Sequence, residues 1–297
     1  MLVGLARGVI FCAALAAANA AGAQPVPPSD DQSPIVVTGK RNAKQDMQDF
    51  VRALTPILPG GQLSRFEQAV CPVALGLPQI QRDAVAVRMR LVAREAGIAV
   101  GSAKCVANVV VMVTQDKKIL LQELRRRHAH YFGDMSNSQI RNLVRQPGPA
   151  VAWQLQGPPM SARGVELFFD PALDMYVNKT TEAASRMTAA VRPQFEGAVV
   201  VIERGSLAGL TVTQLADYAA MRAFARTDPS RLGQSATPTI LRILEAPMGS
   251  EVPRSLTASD FAFLRGFYAA PRNLHTGAQR SAIRRSMTEE AERRAAE

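Results

Sequence analysis

The sequence contains few of the residues on which metal binding and nucleophilic catalysis usually depend. Its 297 residues include three histidines and three cysteines. No C-x-x-C pair, P-loop or dinucleotide glycine fingerprint occurs, which argues against thioredoxin-like and nucleotide-binding enzymes. His128 and His130 lie two residues apart in a stretch predicted as helix, where such residues point to nearly opposite sides. We therefore interpret them as solvated and predict neither a metal nor a cofactor.

Long apolar runs are also missing beyond the beginning of the chain. Arg7 is followed by an apolar stretch at residues 8–18 and then by two A-x-A motifs, at residues 18–20 and 21–23. This order is typical of a secretory signal peptide, and we predict residues 1–23 as the signal, cleaved after Ala23. The apolar run is shorter than the roughly 20 residues of a membrane-spanning helix, although an uncleaved anchor is the alternative. The predicted location is periplasmic or secreted.

Removal of the signal leaves two cysteines, Cys71 and Cys105. In an oxidising compartment an even pair predicts one disulfide. Closing a loop of about 35 residues stabilises a fold by about 3–4 kcal/mol on the chain-entropy account. Two buried thiols or a redox-active pair are the alternatives, although redox pairs usually have C-x-x-C spacing.

The charge balance is basic. The formal net charge is +10, while aromatic residues make up only 5% of the chain. Because the arginines are scattered and few aromatics lie between them, a solvated basic surface fits better than a nucleic-acid interface. An exported basic protein can also meet anionic envelope polymers or lipid headgroups, and the predicted basic helix Lys117–Arg127 is the candidate for that contact. An envelope protein or an anionic polymer is the expected kind of partner.

Composition and hydrophobic periodicity predict the fold class α/β, with α+β as the alternative. We expect two small lobes, each a short sheet packed by helices. After the signal the predicted parts are a Pro-rich linker with a short strand and a short helix (24–60), a first lobe with the disulfide (61–157), a connecting segment (158–190), a second lobe (191–275) and a charged helix (276–297). The strand, at residues 35–41, either adds to a partner's sheet edge or is an ordinary terminal segment.

In the first lobe, a helix near residues 80–96 carries two apolar stripes, so we expect it to be covered on more than one side. The stripes are Ile80, Ala84, Val87 and Leu91, and Val85, Met89, Val92 and Ala96. Residues 98–100 predict a strand, and residues 109–113 predict a fully buried one because they do not alternate. A basic helix is expected at residues 117–132, with Ile119 facing inward.

In the second lobe, residues 198–202 predict a buried strand. Thr211 and Gln214 have the spacing of a capping box, and so do Thr257 and Asp260, so a helix is predicted after each threonine. The first of these helices presents a narrow stripe of mostly small residues that suits close packing on a sheet.

The candidate functional residues surround the end of the strand at residues 198–202. Folds of the α/β class place their sites at the carboxyl ends of strands. Five polar residues could line a cleft there: Glu203, Arg204, Asp217, Tyr218 and Arg222. The alternative is that they are ordinary charged or polar side chains in solvent, with Glu203 simply at the end of the strand.

Ser206 lies in a glycine-rich loop between this strand and the next helix. A nucleophile elbow needs the pattern G-x-S-x-G, but here a glycine directly precedes Ser206, so the match fails by one residue. His275 is the candidate base. A hydrolase that uses Ser206 is therefore an alternative to a flexible strand-to-helix loop.

Several segments carry a resemblance that covers most of residues 65–285. They are Val70-Cys71-Pro72 with Gly76-Leu77-Pro78, Cys105 with Asn108-Val109-Val110, and residues 209–222. In these segments the sequence is similar to a family of uncharacterised exported proteins of Gram-negative bacteria. The resemblance implies export and a disulfide, and it implies no activity.

The C-terminal half also resembles an exported metallopeptidase-like, zincin-related domain, on the strand and capped helix together with residues 238–241 and 256–260. Active zincins carry H-E-x-x-H on a helix, whereas the helix from Val212 to Phe224 contains no histidine. The resemblance therefore implies a degenerate domain that has lost its metal site.

Together these observations favour an exported, non-catalytic binding or accessory module with a degenerate peptidase-like half. One alternative is a periplasmic hydrolase with a site near Glu203, Ser206 and Asp217. The other is a basic surface that binds an anionic envelope component.

Overall fold

A computed structural model of the chain describes residues 43–56, 61–181, 183–233, 235–247 and 249–296. The predicted signal peptide, the strand at residues 35–41 and most of the Pro-rich linker lie outside these residues. The described residues all belong to one compact unit.

The described residues form seven α-helices and nine strands. The helices are α1 (Ala43–Leu54), α2 (Gln79–Glu95), α3 (Lys117–Arg127), α4 (Asn137–Arg145), α5 (Val212–Phe224), α6 (Ala258–Ala269) and α7 (Thr276–Ala296). The strands are β1 (Arg65–Phe66), β2 (Pro72–Leu75), β3 (Val109–Thr114), β4 (Ala150–Gln156), β5 (Met160–Ser161), β6 (Phe168–Asp170), β7 (Met175–Val177), β8 (Val191–Arg192) and β9 (Gln194–Glu203).

One five-stranded sheet organises the fold and confirms the α/β class. β9 pairs in parallel with β3, and β3 pairs in parallel with β2. β4 runs antiparallel along the other edge of β9, and the short β1 pairs with the beginning of β9. Parallel strands joined through helices are the expected product of a β-α-β sequence pattern.

The strands of the two predicted lobes belong to this same sheet. β3 and β4 come from the predicted first lobe, whereas β9 comes from the predicted second lobe and lies between them. The reason is that β9 is continuously apolar over residues 198–202, so its stable position is one with a neighbouring strand on each side. The predicted connecting segment contains β5 and the hairpin β6–β7.

Alternate side chains of the central strands enter two separate cores. Val109 and Val111 of β3 pack with α2 and α5 on one face of the sheet. Val110 and Met112 of the same strand pack with α3 and α4 on the other face. The sheet is therefore the middle layer of three, and α1, α6 and α7 extend the helical layer on the first face.

Three details differ from the sequence expectations. In α2 one stripe is buried, but the stripe that contains Ile80 and Val87 faces solvent. Ile119 is also exposed, because α3 turns Leu121 toward the sheet together with Leu124, which was expected to face inward. Residues 98–100 form only an isolated bridge, Val100 to Val70.

Local signals for helix ends are confirmed. Thr211 and Thr257 each form a complete capping box at the start of α5 and α6. Gly97 follows α2 with a φ of +79°, a left-handed conformation that glycine adopts without strain. Helix α5 is buried nearly all round, beyond the narrow stripe predicted for it.

The predicted disulfide is present. Cys71 lies just before β2 and Cys105 lies in the loop before β3, and their sulfur atoms are 2.09 Å apart. Arg90 of α2 donates to the carbonyl of Gly101 at 2.8 Å and to both sulfur atoms. The disulfide therefore joins the segments that precede two neighbouring strands, and Arg90 connects both segments to the helix between the strands.

Candidate functional site

The loops after the parallel strands meet at one edge of the sheet, where the site was predicted. The carboxylate of Glu203 accepts the backbone N–H of Lys117 at 3.1 Å. The guanidinium of Arg204 donates to the carbonyl of Gly76, which follows β2. Both candidate side chains therefore fasten neighbouring loops to one another.

Lys117 is buried at the same edge although it begins the basic helix. Its Nζ donates to the carbonyls of Gln146, at 2.7 Å, and Gly148. Burial lowers the pKa of Lys117, and the nearby carboxylate of Glu203 opposes that effect. This cation is thus removed from the surface that was predicted to meet anions.

Asp217 lies between helices and not in a cleft. Its carboxylate is fully buried and accepts from Nε and Nη2 of Arg88, at 2.7 and 2.9 Å. It also accepts the backbone N–H of Leu256 at 2.8 Å. The hydrogen bond to Asp217 raises the pKa of Arg88. Asp217 therefore joins α5 to α2 and to the segment before α6.

Tyr218 and Arg222 form a second buried contact on α5. Nη1 of Arg222 donates to the phenol oxygen of Tyr218 at 2.7 Å. Burial raises the pKa of Tyr218, and the guanidinium of Arg222 opposes that effect. Nε of Arg222 is buried and has no hydrogen-bond partner among the described residues. The five candidate residues are thus distributed over four separate contacts.

Ser206 and His275 also have different neighbours. Oγ of Ser206 donates to the carbonyl of Glu203 at 2.8 Å and closes the turn after β9. His275 Nε2 lies 3.5 Å from the carbonyl of Ser185. The hydrolase alternative therefore has no base in hydrogen-bonding contact with Ser206 among the residues that the structure describes.

A cluster of arginines around the buried carboxylate of Glu67 was not predicted. Glu67 pairs with Arg272 and, at 3.6 Å, with Arg192. Arg65 is nearly fully buried and donates to the carbonyls of Ala270, at 2.9 Å, and Tyr268, at 3.3 Å. Burial lowers the pKa of Arg65 to about 10. The cluster joins β1 to the end of α6, and its members are too far apart in sequence for a local motif to reveal it.

The hairpin β6–β7 exposes a group of large apolar side chains. The exposed fractions are 58% for Phe168, 42% for Phe169, 61% for Leu173, 54% for Met175 and 41% for Tyr176. The turn is built by Asp170, whose carboxylate accepts the N–H of Ala172 at 2.9 Å, and by Asp174 with a φ of 50°. Two runs of β-favouring residues around the Asp170-Pro171 turn could have predicted the hairpin. The sequence does not show, however, that the apolar side chains of the hairpin are exposed.

The register of the hairpin places apolar residues on both of its faces. Phe169 lies opposite Tyr176, and their rings are 5.3 Å apart in a T-shaped arrangement. Phe168 lies opposite Val177 and, with Met175, occupies the other face. Lys179 stands over the ring of Phe168 at 5.0 Å. The hairpin therefore offers two apolar surfaces and an acidic turn.

Two further classes of site have no candidate in the described part of the chain. No group of three or more His, Cys, Asp or Glu residues there is placed to hold a metal ion. None of the helices there has the length and apolar character needed to cross a bilayer.

Comparison with known proteins gives no relative. No family model matches the chain, and neither a curated protein nor a solved structure matches it significantly. The resemblances to an exported family and to a degenerate peptidase-like domain therefore stay predictions.

Proposed function

We propose that this chain is an exported, non-catalytic binding protein, and that the hairpin β6–β7 docks it to a partner protein. The observation that carries the proposal is the exposed apolar surface of the hairpin. Contiguous apolar patches on soluble proteins usually mark interaction sites. A two-stranded hairpin is also marginally stable on its own, so a partner that covers it would contribute to its stability.

The hairpin also indicates the chemistry of the partner. Apolar side chains on both faces call for a groove with two apolar walls. Asp170 and Asp174 at the turn favour cations at the closed end of that groove. An envelope protein with such a groove fits these features better than an anionic polymer, which the acidic turn would repel.

Two observations support the remainder of the proposal. A disulfide is typical of an oxidising compartment, in agreement with the predicted signal peptide. The polar residues that suggested a cleft make contacts within the fold, as in the pair of Asp217 with Arg88, and this favours binding over catalysis.

Site-specific photo-crosslinking in native cells tests the docking role. A photoreactive residue in place of Phe168 is expected to give one defined adduct, whereas the same residue in place of Ile119, which is similarly exposed on α3, is expected to give none. Once the crosslinked partner has been identified and purified, its affinity for the Tyr176→Ala variant can be compared with its affinity for the wild-type protein. Tyr176→Ala should weaken this binding by about tenfold or more, as expected for an aromatic hot spot. Equal adducts from both positions, or unchanged affinity, would remove the hairpin from the proposal.

Export can be tested separately from the docking role. Mass spectrometry of the native protein is expected to find a terminus at Gln24 and oxidised Cys71 and Cys105. An intact Met1 terminus together with reduced thiols would contradict export and leave the docking role to be judged separately.

A further inference from the structure

Helix α2 has an apolar stripe that nothing in the described part of the chain covers. Ile80 is 84% exposed, Val87 is 63% exposed and Leu91 is 42% exposed, and Ala84 between them also faces solvent. The opposite side of the same helix buries Val85, Met89, Val92 and Ala93. Since that second side already packs the helix onto the sheet, the exposed stripe is not needed for the fold.

The spacing of the exposed stripe is that of a helix pair. Ile80, Ala84, Val87 and Leu91 follow one another at intervals of four, three and four residues. This 3.5-residue repeat is typical of the seam between two helices that pack side by side. The small side chain of Ala84 near the middle of the stripe allows close approach of the second helix.

The charges beside the stripe indicate what the second helix is. On one flank, Asp83 lies in the N-terminal half of α2 and the exposed Arg94 lies in the C-terminal half. Arg90, on the same flank, is already bound within its own chain to the carbonyl of Gly101. An antiparallel second copy of α2 places Ile80 against Leu91 of that copy and Ala84 against Val87. Asp83 of each copy then lies on the same flank as Arg94 of the other, where opposite charges attract. The arrangement is self-complementary, as a two-fold interface requires.

We propose that the chain forms a two-fold homodimer through antiparallel packing of the α2 stripe. A 17-residue helix covers much less than the roughly 800 Å² per partner of a standard stable interface, although the groove beside Leu91, which Leu256 and Phe261 also line, adds apolar surface. The dimer is therefore weak, with a dissociation constant of about 10–100 μM. None of the residues of this interface belongs to the hairpin β6–β7, so the dimer and the docking role can be tested separately.

Sedimentation equilibrium of the full, disulfide-bonded chain tests the proposal. The wild-type protein is expected to shift from monomer to dimer between micromolar and millimolar concentration. Val87→Glu should abolish the dimer and leave the melting temperature unchanged, because the side chain is exposed in the monomer. Ile119→Glu is the matched control and should dimerise like the wild type. A wild-type protein that is monomeric throughout overturns the proposal.

A charge swap tests the antiparallel arrangement. Asp83→Arg and Arg94→Glu should each weaken the dimer by about threefold to tenfold, and the double variant should recover most of the loss. Absence of recovery overturns the antiparallel pairing. A dimer that survives Val87→Glu but is lost in Phe168→Glu overturns the α2 interface in favour of the hairpin.

Discussion

Asp217 and Arg88 connect two helices through a carboxylate that is fully buried and accepts three hydrogen bonds. A buried ion pair adds little over a well-packed apolar pair, because the loss of hydration offsets much of the attraction. Removal of one partner is costly, however, since the other charge then lacks compensation. At the residue scale, the charges of α5 therefore act on the stability of the fold.

We expect Asp217→Ala to lower the free energy of unfolding by about 2–4 kcal/mol, near the lower end for a broken buried pair because Arg88 stays partly exposed. The double variant Arg88→Leu with Asp217→Leu should lose less than the sum of the single changes. Urea denaturation measures both. Asp83→Asn, on the exposed flank of α2, should change stability by less than about 0.5 kcal/mol. A change of that small size for Asp217→Ala would contradict the structural role.

Buried tyrosines predict a loss of stability in alkali. Burial raises the pKa values of Tyr218 and Tyr268 above the unfolded value, which is about 10. Their contribution is therefore complete below about pH 10 and is lost as the pH rises through the folded values. We expect the tyrosinate absorbance of these two residues, among the four in the chain, to develop only together with the loss of circular dichroism. Complete ionisation of all four in a folded protein would contradict this expectation.

At the scale of elements, the disulfide links the beginnings of β2 and β3 around α2. Cys71→Ser with Cys105→Ser is expected to lower the free energy of unfolding by about 3–4 kcal/mol, because the unfolded chain regains the entropy of a 34-residue loop. Denaturation with and without reductant measures the difference. Val106→Ser, in the same loop and 90% exposed, is the control and should have no effect. A loss below about 1 kcal/mol would show that the loop is held by other contacts.

The elements themselves were largely predictable because their signals are local. A capping box spans four residues, so Thr211 with Gln214 fixed the start of α5. The two stripes of α2 were also visible, but periodicity cannot tell which stripe a neighbour covers. For the candidate site, the sequence predicted only that polar residues gather at one edge of the sheet. It could not predict their partners, since Arg88, which binds Asp217, is 129 residues away in sequence.

At the scale of the whole molecule, β9 is the strand on which both predicted lobes depend. It pairs with β3 on one edge and with β4 on the other, and its side chains enter both cores. Without β9, only the pair of β2 with β3 remains of the five-stranded sheet. The sequence contained both sets of strands but no local mark of their pairing, which is why two lobes were expected.

We therefore expect the described unit to unfold in a single transition. Differential scanning calorimetry should give a calorimetric enthalpy equal to the van't Hoff enthalpy. Val200→Ala, at the centre of β9, should lower the one melting temperature without splitting the transition. Two resolved transitions would indicate lobes that unfold independently.

Because β9 lies late in the chain, it also determines when the sheet can form during synthesis. The ribosome delivers β2, β3 and β4 first, yet the sheet cannot close until residue 203 has emerged. Until then β3 offers an unpaired edge to any other extended segment nearby, the situation in which nascent chains aggregate. We therefore expect the five-stranded sheet to form late in synthesis, once β9 is available to pair with β3 and β4.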